Sequence, residues 1–127
     1  MNHQTAISIF IVEDNFLYTY MLESALKEHG NFKVTAFATG EECLELLDNN
    51  PDIIILDHLL GKGMNGLATF KIIHSRKPKI PIIILSCQTD AQVAIDTMKA
   101  GAYDYIQKQN YSIGELEKTL LKAIRGN

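Results

Sequence analysis

A strand-like run that ends in an acidic residue constrains the fold of this chain more than any other feature. Residues 53–56 are Ile-Ile-Ile-Leu, and Asp57 follows them directly. Four consecutive apolar residues, three of them β-branched, are typical of a strand that is covered on both faces of a parallel sheet. Ligands of open α/β sheets gather at the carboxyl ends of the strands. Asp57 is therefore either part of a functional site or a plain cap of the next turn, and the other strand ends decide between the two interpretations.

Strand-like and helix-like segments alternate five times along the chain. The predicted strands cover residues 6–12, 32–38, 53–56, 82–85 and 102–107. The predicted helices cover residues 15–29, 39–48, 67–75, 89–99 and 112–124. Because parallel strands need crossover connections of about a dozen residues, this alternation predicts an α/β fold with a doubly wound parallel sheet.

Capping residues and apolar spacing support the predicted helices. Asn15 is a candidate N-cap of the first helix, and Thr89 and Asp90 precede the fourth. Ser112 and Glu115 have the spacing of a capping box at the start of the last helix. In the second helix we expect the apolar side chains to point inward, namely Cys43, Leu44, Leu46 and Leu47.

The composition is that of an ordinary soluble domain. The chain has 127 residues, of which 46% are hydrophobic and 21% charged, so it is expected to form a single domain. The net charge of −3 gives no support for direct binding to nucleic acid. Cys43 and Cys87 lack metal-ligand spacing, which favours a reduced, cytoplasmic setting. The apolar runs are far too short to cross a membrane, and the start of the chain lacks the layout of a signal peptide.

Polar residues follow four of the five predicted strands. If the strands are parallel, Glu13, Asp14, Asp57, Ser86 and Lys108 share one edge of the sheet. Three carboxylates at one place repel one another unless a cation is present, and hard oxygen ligands suit Mg²⁺ or Mn²⁺. A lysine and a hydroxyl facing the same point are suited to bind a phosphoryl group. Together these residues predict a site for metal-assisted phosphoryl chemistry.

From residue 7 to residue 124 the sequence resembles the receiver domain of two-component response regulators. The motif positions are matched by the pair Glu13-Asp14, by Asp57, by Ser86 and by Lys108. Two further positions match as well, the aromatic switch position at Tyr105 and the glycine beyond the phosphoacceptor at Gly66. The resemblance implies a five-stranded (βα)5 sheet in the order 2-1-3-4-5, the flavodoxin-like topology of receivers. It also implies that residues 1–127 are a single receiver domain, with no output domain present.

The resemblance implies that Asp57 is a phosphoacceptor. The donor would be a phosphohistidine on a sensor histidine kinase or on a histidine phosphotransfer protein. Mg²⁺, or Mn²⁺ in its place, would be held by Asp14, Asp57 and the backbone carbonyl of Leu59, with Glu13 acting through a water molecule. Lys108 would bind phosphoryl oxygens. The protein would then not be an enzyme beyond catalysing its own phosphorylation and dephosphorylation.

The resemblance also implies a switch. Ser86 would bind the phosphoryl group, Tyr105 would turn inward, and the face made by the fourth helix, fifth strand and fifth helix would change its partner preference. That face would serve a downstream protein target, an output domain or a homodimer. No direct contact with nucleic acid or with a membrane is expected.

Two features depart from the usual receiver pattern. Gly61 stands four residues after Asp57, where family members usually have proline, and Gly66 is nine residues from Asp57 rather than eight. The loop is therefore expected to be one residue longer and less rigid. Gln109 replaces the proline that usually follows the lysine. Because a cis bond before a non-proline residue costs about 2.5–4 kcal/mol, we predict a trans bond.

Other functions fit the sequence less well. The glycine-rich segment 61–66 lacks the form of a P-loop. Glu13 and Asp14 would repel the phosphate of a flavodoxin-type cofactor. A haloacid-dehalogenase-type phosphatase would need an acid where this chain has Leu59. The alternative that stays open is a pseudo-receiver, which keeps the fold and binds partners without being phosphorylated.

Four residues near the predicted site receive mostly structural interpretations. His58 is predicted to be a solvated loop residue, although a proton shuttle is also conceivable there. Tyr103 and Tyr111 are predicted to be packing residues. Cys87 follows Ser86, and we hypothesise that it narrows the access of water to the phosphoryl group.

Overall fold

A computed structural model describes residues 5–61, 63–87 and 90–126 of the protein. Its strands are β1 (Ile7–Val12), β2 (Phe32–Phe37), β3 (Ile53–Leu56), β4 (Ile82–Ser86) and β5 (Asp104–Gln107). They form one sheet in the order β2-β1-β3-β4-β5, and every neighbouring pair is parallel. The predicted fold class and strand order are confirmed.

The described residues also form five α-helices, which connect and follow the strands. They are α1 (Phe16–His29), α2 (Gly40–Glu45), α3 (Gly66–Arg76), α4 (Ala91–Lys99) and α5 (Ile113–Ile124). Asn15 caps α1, since its side chain accepts a hydrogen bond from the Tyr18 N–H group. Ser112 and Glu115 form the predicted capping box of α5. Asp90 caps α4, whereas Thr89 lies outside the described residues.

The sheet separates two apolar cores because successive side chains of a strand point to opposite faces. On one face Ile54 and Leu56 of β3 belong to a cluster with Phe70 and Ile73 of α3. On the other face Ile53 and Ile55 belong to a cluster that includes side chains of α1 and α5. The α1 and α5 members are Leu22, Leu26, Leu116, Leu120 and Ala123. With both faces covered, the sheet leaves its carboxyl edge as the place where polar side chains converge.

The second helix is shorter than predicted. After α2 ends at Glu45, the chain tightens into a 3₁₀ turn over Leu47–Asn49, and Asn50 adopts a left-handed conformation with φ 54°. This change of pitch turns Leu47 into the core and Leu46 outward, where 43% of Leu46 is exposed. The prediction that Leu46 points inward was therefore wrong. Within the described residues, no helix is both long enough and apolar enough to span a membrane.

Candidate functional site

Backbone hydrogen bonds carry the sheet pattern one residue past the strand ends and so position the site. The Asp57 N–H donates to the Val12 carbonyl over 2.9 Å, and the Glu13 N–H donates to the Phe37 carbonyl over 2.9 Å. In the same way the Lys108 N–H donates to the Ser86 carbonyl, also over 2.9 Å. The residues that directly follow β1, β3 and β5 are thus each tied to a neighbouring strand before any side-chain contact is made.

The three predicted carboxylates form one cluster. Each of Glu13, Asp14 and Asp57 has an oxygen within 4.8 Å of the others. Glu13 and Asp57 are buried, with 6% and 5% of each residue exposed, whereas Asp14 is exposed. A set of oxygen ligands that is buried on one side and open on the other fits a hard divalent cation that keeps part of its water shell. The donor set therefore fits Mg²⁺.

The Leu59 backbone lies beside the phosphoacceptor candidate. Its N–H group donates to Asp57 Oδ1 over 3.0 Å, which fixes one carboxylate oxygen of Asp57. This contact places residue 59 within reach of the cluster. The predicted role of the Leu59 carbonyl as a metal ligand stays a prediction.

Lys108 places a cation in the site. Its ammonium lies 2.5 Å from Glu13 Oε1 and 3.3 Å from Asp57 Oδ2, and only 11% of its side chain is exposed. Burial by itself would lower the pKa of Lys108, but its hydrogen bonds and charge interactions with Glu13 and Asp57 outweigh that effect and raise the pKa. Lys108 therefore stays charged over the whole physiological pH range.

The cost of burying the charge is less well compensated for Glu13 than for Lys108. Burial raises the pKa of Glu13 and the negative charge of Asp57 adds to the rise, although bonds from Lys108 and from the Asn15 N–H oppose it. The pKa of Glu13 rises mainly because of burial, whereas that of Lys108 rises because of its two carboxylate partners. Among the described residues, the Lys108 ammonium is shared between two buried carboxylates, so it is stabilised twice while each carboxylate receives only part of its charge. The site therefore has an excess of negative charge that another cation would relieve.

The two predicted switch residues are in contact. Ser86 is fully buried at the end of β4, and its side chain is hydrogen-bonded to the Tyr105 hydroxyl. Burial raises the pKa of Tyr105, so its hydroxyl stays protonated at neutral pH. The ring of His58 lies 6.4 Å from that of Tyr105, between centroids. The Ser86 hydroxyl and the Tyr105 ring are thus linked directly.

The loop after Asp57 is organised by two carboxylates. Asp14 Oδ2 accepts a hydrogen bond from the Gly61 N–H over 2.7 Å, and Glu41 Oε2 accepts one from the Met64 N–H over 2.9 Å. Gly63 has φ +67°, and a Cβ atom there would overlap the Glu41 carboxylate. The longer loop is therefore tied both to the acidic cluster and to α2.

The peptide bond that follows Lys108 also has the predicted conformation. The described part of the chain contains no cis peptide, so the Lys108–Gln109 bond is trans.

Sequence reasoning missed one aromatic residue of the site. The Lys108 ammonium lies 4.4 Å from the centre of the Tyr18 ring, and the Tyr18 hydroxyl is 2.6 Å from that of Tyr111. Tyr18 stands four residues after Asp14 on a helix that begins at the site. That spacing was the available signal, because residues one helical turn from a functional position return to the same side.

Four large apolar side chains of α1 are exposed beside the acidic cluster. Phe16, Leu17, Tyr20 and Met21 are 80%, 77%, 66% and 55% exposed, and we call them the α1 apolar patch. A cavity of about 280 Å³ runs from Glu13 and Asp14 past Phe16 and Tyr20. Such a contiguous apolar surface next to a polar site is typical of a protein-binding surface.

Comparison with known proteins agrees with this geometry. Residues 9–121 match the response regulator receiver domain family. The chain is 33% identical over 116 residues to the DNA-binding transcriptional regulator NtrC of Escherichia coli K12, covering 91% of this chain and 24% of that protein. It is 39% identical over 108 residues to protein-glutamate methylesterase/protein-glutamine glutaminase 2 of Paramagnetospirillum magneticum, covering 80% and 30%. The chain thus spans about a quarter to a third of the length of these relatives.

Solved structures show the same architecture. A putative response regulator from Chloroflexus aurantiacus has a TM-score of 0.85 and 31% identity, covering 95% of this chain and 99% of that one. A CheY-like receiver domain protein from Methanospirillum hungatei has a TM-score of 0.86 at 21% identity, covering 96% of each chain, and supports the fold alone. The chain therefore belongs to the response regulator receiver domain family of two-component systems.

Proposed function

We propose that this chain is a phosphorylation-dependent switch in which Asp57 accepts a phosphoryl group. The observation that carries the proposal is the buried Asp57 carboxylate, with the Lys108 ammonium 3.3 Å from one oxygen and two further carboxylates beside it. Phosphoryl transfer needs positioning and charge neutralisation more than covalent chemistry from the protein. A nucleophile, a fixed cation and a candidate metal site within one cluster meet that need.

In the proposed reaction an oxygen of Asp57 attacks the phosphorus atom of a phosphohistidine. An O–P bond forms, the P–N bond breaks, and the donor imidazole takes up a proton as it leaves. The Leu59 N–H holds Oδ1 of Asp57, and Lys108 offers positive charge to the incoming phosphoryl oxygens. The catalysis is confined to the phosphorylation and dephosphorylation of the chain itself.

Glu13, Asp14, Asp57 and the Leu59 carbonyl are the proposed holders of Mg²⁺, with Mn²⁺ as an alternative. A bound divalent cation neutralises charge on phosphoryl oxygens. The excess negative charge around the single ammonium of Lys108 supports this assignment.

The switch would begin at Ser86. A phosphoryl group on Asp57 offers oxygens that compete with Tyr105 for the Ser86 hydroxyl. Once Ser86 turns toward Asp57, Tyr105 loses that partner and moves inward, and the surface of α4, β5 and α5 changes. This surface is the proposed contact for a downstream target, an output domain or a second copy of the chain. The net charge of −3 favours protein partners over nucleic acid.

We propose that the donor is a sensor histidine kinase or a histidine phosphotransfer protein and that it binds at the α1 apolar patch. The patch adjoins the acidic pair, so a protein seated there would bring its phosphohistidine to Asp57. In a panel of phosphorylated donor domains, Leu17→Ser should slow transfer from the donor protein. Phosphorylation by acetyl phosphate should be unchanged, because that small donor needs no docking surface.

A cytoplasmic setting is also proposed, supported by the free thiols of Cys43 and Cys87.

The second candidate function is a pseudo-receiver that binds partners without phosphorylation. The observation in its favour is that the Gly61 N–H already occupies Oδ2 of Asp14 in the longer loop. If the loop held that carboxylate permanently, the cation would have one ligand fewer.

Beryllofluoride, a stable mimic of a phosphoryl group, separates the two candidates. With Mg²⁺ present, fluorine NMR of the wild-type protein should show bound resonances. Asp57→Ala should show none, and neither should the wild type without a divalent cation. Absence of bound resonances in the wild type with Mg²⁺ would refute the phosphoacceptor proposal and favour the pseudo-receiver.

A further inference from the structure

We infer that Tyr18 is a positioning residue for Lys108, an inference that rests on the function proposed above. Through the face of its ring, Tyr18 holds the lysine ammonium at the point where phosphoryl oxygens arrive. The hydroxyl of Tyr18 pairs with Tyr111, and its ring faces Lys108. Its effect is exerted through Lys108.

The Lys108 ammonium lies between the Tyr18 ring and two carboxylates. Lys108 Nζ lies 4.4 Å from the Tyr18 ring centre while it also contacts Glu13 and Asp57. The face of an aromatic ring is negative and attracts a cation within about 6 Å, the more strongly where water is excluded. Here only 11% of the lysine side chain is exposed. The ring thus supplies the attraction on the side of the ammonium that faces α1.

Tyr18 is held both at its backbone and at its hydroxyl. The Tyr18 N–H donates to Asn15 Oδ1 over 3.0 Å at the helix cap. At the other end, the Tyr18 hydroxyl pairs over 2.6 Å with that of Tyr111, in the segment between β5 and α5. A tyrosine whose backbone is fixed by a helix cap and whose hydroxyl is fixed by the segment that follows Lys108 is a preorganised support rather than a mobile neighbour.

Tyr18 stays neutral at physiological pH. Burial, the bond to Tyr111 and the nearby charge of Glu13 all raise the pKa of Tyr18. Its ring therefore acts through its face and not as a phenolate that would form an ion pair with Lys108. A phenylalanine ring should accordingly preserve the effect.

The contact with the Tyr18 ring also bears on which of its two carboxylate partners the Lys108 ammonium approaches. In the present structure the ammonium is closer to Glu13 than to Asp57. Binding a phosphoryl group at Asp57 requires it to move toward that residue. Because the Tyr18 face contacts the ammonium without fixing a single hydrogen-bond direction, it allows this movement while keeping the lysine inside the site.

The test compares wild type, Tyr18→Leu, Tyr18→Phe and a series in which the phenylalanine ring at position 18 carries increasing numbers of fluorine atoms. Fluorination leaves the shape nearly unchanged but removes the negative face. The rate of phosphorylation by acetyl phosphate with Mg²⁺ should fall about 2- to 30-fold in Tyr18→Leu, the range that a cation–π contact represents. Tyr18→Phe should keep most of the rate, and each added fluorine should lower it stepwise.

A second readout needs no phosphorylation. The Lys108 methylene protons next to the ammonium should be shifted upfield in NMR spectra by the Tyr18 ring current. The shift should persist in Tyr18→Phe and disappear in Tyr18→Leu. If the Lys108 resonances do not shift in Tyr18→Leu, or if the phosphorylation rate does not change with fluorination, the inference is wrong. A wild-type protein that takes up no phosphoryl group would instead refute the proposed function, and the NMR comparison would still test the contact.

Discussion

At the scale of single residues, the site is governed by one ammonium that serves two buried carboxylates. Lys108 keeps its proton because Glu13 and Asp57 both stabilise it, whereas Glu13 is ionised at a cost because burial outweighs its share of the lysine charge. The folded-state pKa of Glu13 is therefore raised above its ordinary value of 4.5. A raised carboxyl pKa stabilises the folded state when the group is protonated, and that contribution is lost as pH rises through the folded-state pKa.

Glu13→Gln should therefore stabilise the metal-free protein at neutral pH, by on the order of 1 kcal/mol. The glutamine keeps an oxygen for Lys108 but carries no charge to bury. The advantage should vanish well below pH 4.5, where wild-type Glu13 is protonated in both the folded and the unfolded state. Urea unfolding of both proteins in EDTA across this pH range measures the difference. An advantage that stayed constant with pH would contradict the account.

The site residues that were predicted from the sequence are those that directly follow a strand, because the positions of the strand ends are enough to place them. Glu13, Asp14, Asp57, Ser86 and Lys108 follow from parallel strands and from chain order. Tyr18 could not be recognised in this way, because its role depends on the rotation of α1 about its own axis. Its partner Tyr111 was predicted to be a packing residue, and the hydroxyl pair adds a link to α1 that apolar patterning does not encode.

At the scale of elements, the first residue of α3 packs closely against the backbone of the segment that follows β3. Gly66 begins α3, and a Cβ atom at this position would overlap the backbone carbonyl oxygens of Asp57 and His58. Gly114 in α5 offers a matched comparison, since a Cβ atom there would meet nothing within 4 Å.

Gly66→Ala should destabilise the protein by about 1–3 kcal/mol, the usual cost of forcing extra atoms into a packed site. Gly114→Ala should instead stabilise it by roughly 0.5–1 kcal/mol, because alanine loses less backbone freedom in a helix. The free energy of unfolding in urea is the measurement for both. Equal effects of the two changes would show that the overlap at Gly66 is relieved at no cost.

The loop also depends on α2. Glu41→Ala removes the acceptor of the Met64 N–H, so hydrogen exchange at Met64 should accelerate by roughly 2- to 10-fold, as expected for the loss of one hydrogen bond. Glu45→Ala is the control, because Glu45 is exposed on the same helix. Faster exchange in the control as well would mean that α2 as a whole, rather than Glu41, restrains the loop.

Helices and strands were predicted well where the apolar periodicity of the sequence is strong, and less well where the helical pitch changes. The capping box at Ser112 and the cap at Asn15 were readable from side-chain chemistry. The end of α2 was not, because Leu44, Leu46 and Leu47 satisfy a helical pattern even though the chain turns into a 3₁₀ segment. Leu46 consequently faces solvent, a result that depends on local pitch rather than on composition.

At the scale of the whole molecule, the sheet order brings the chemistry together. β1 lies beside β3, and β3 beside β4, so residues far apart in sequence meet at one edge. Alternation of strands and helices predicted this architecture, and short apolar strands buried on both faces made the prediction secure. The α1 apolar patch could not be predicted, because apolar residues at helical spacing normally indicate a buried face.

The central claim is that Asp57 accepts a phosphoryl group in a metal-dependent reaction. Intact-mass analysis after incubation with acetyl phosphate and Mg²⁺ tests it most directly, with Asp57→Ala and a metal-free sample alongside. We expect one added phosphoryl group on the wild type and none on either control. An unmodified wild-type mass at all incubation times, together with failure to bind beryllofluoride, would contradict the account, as would equal modification of Asp57→Ala.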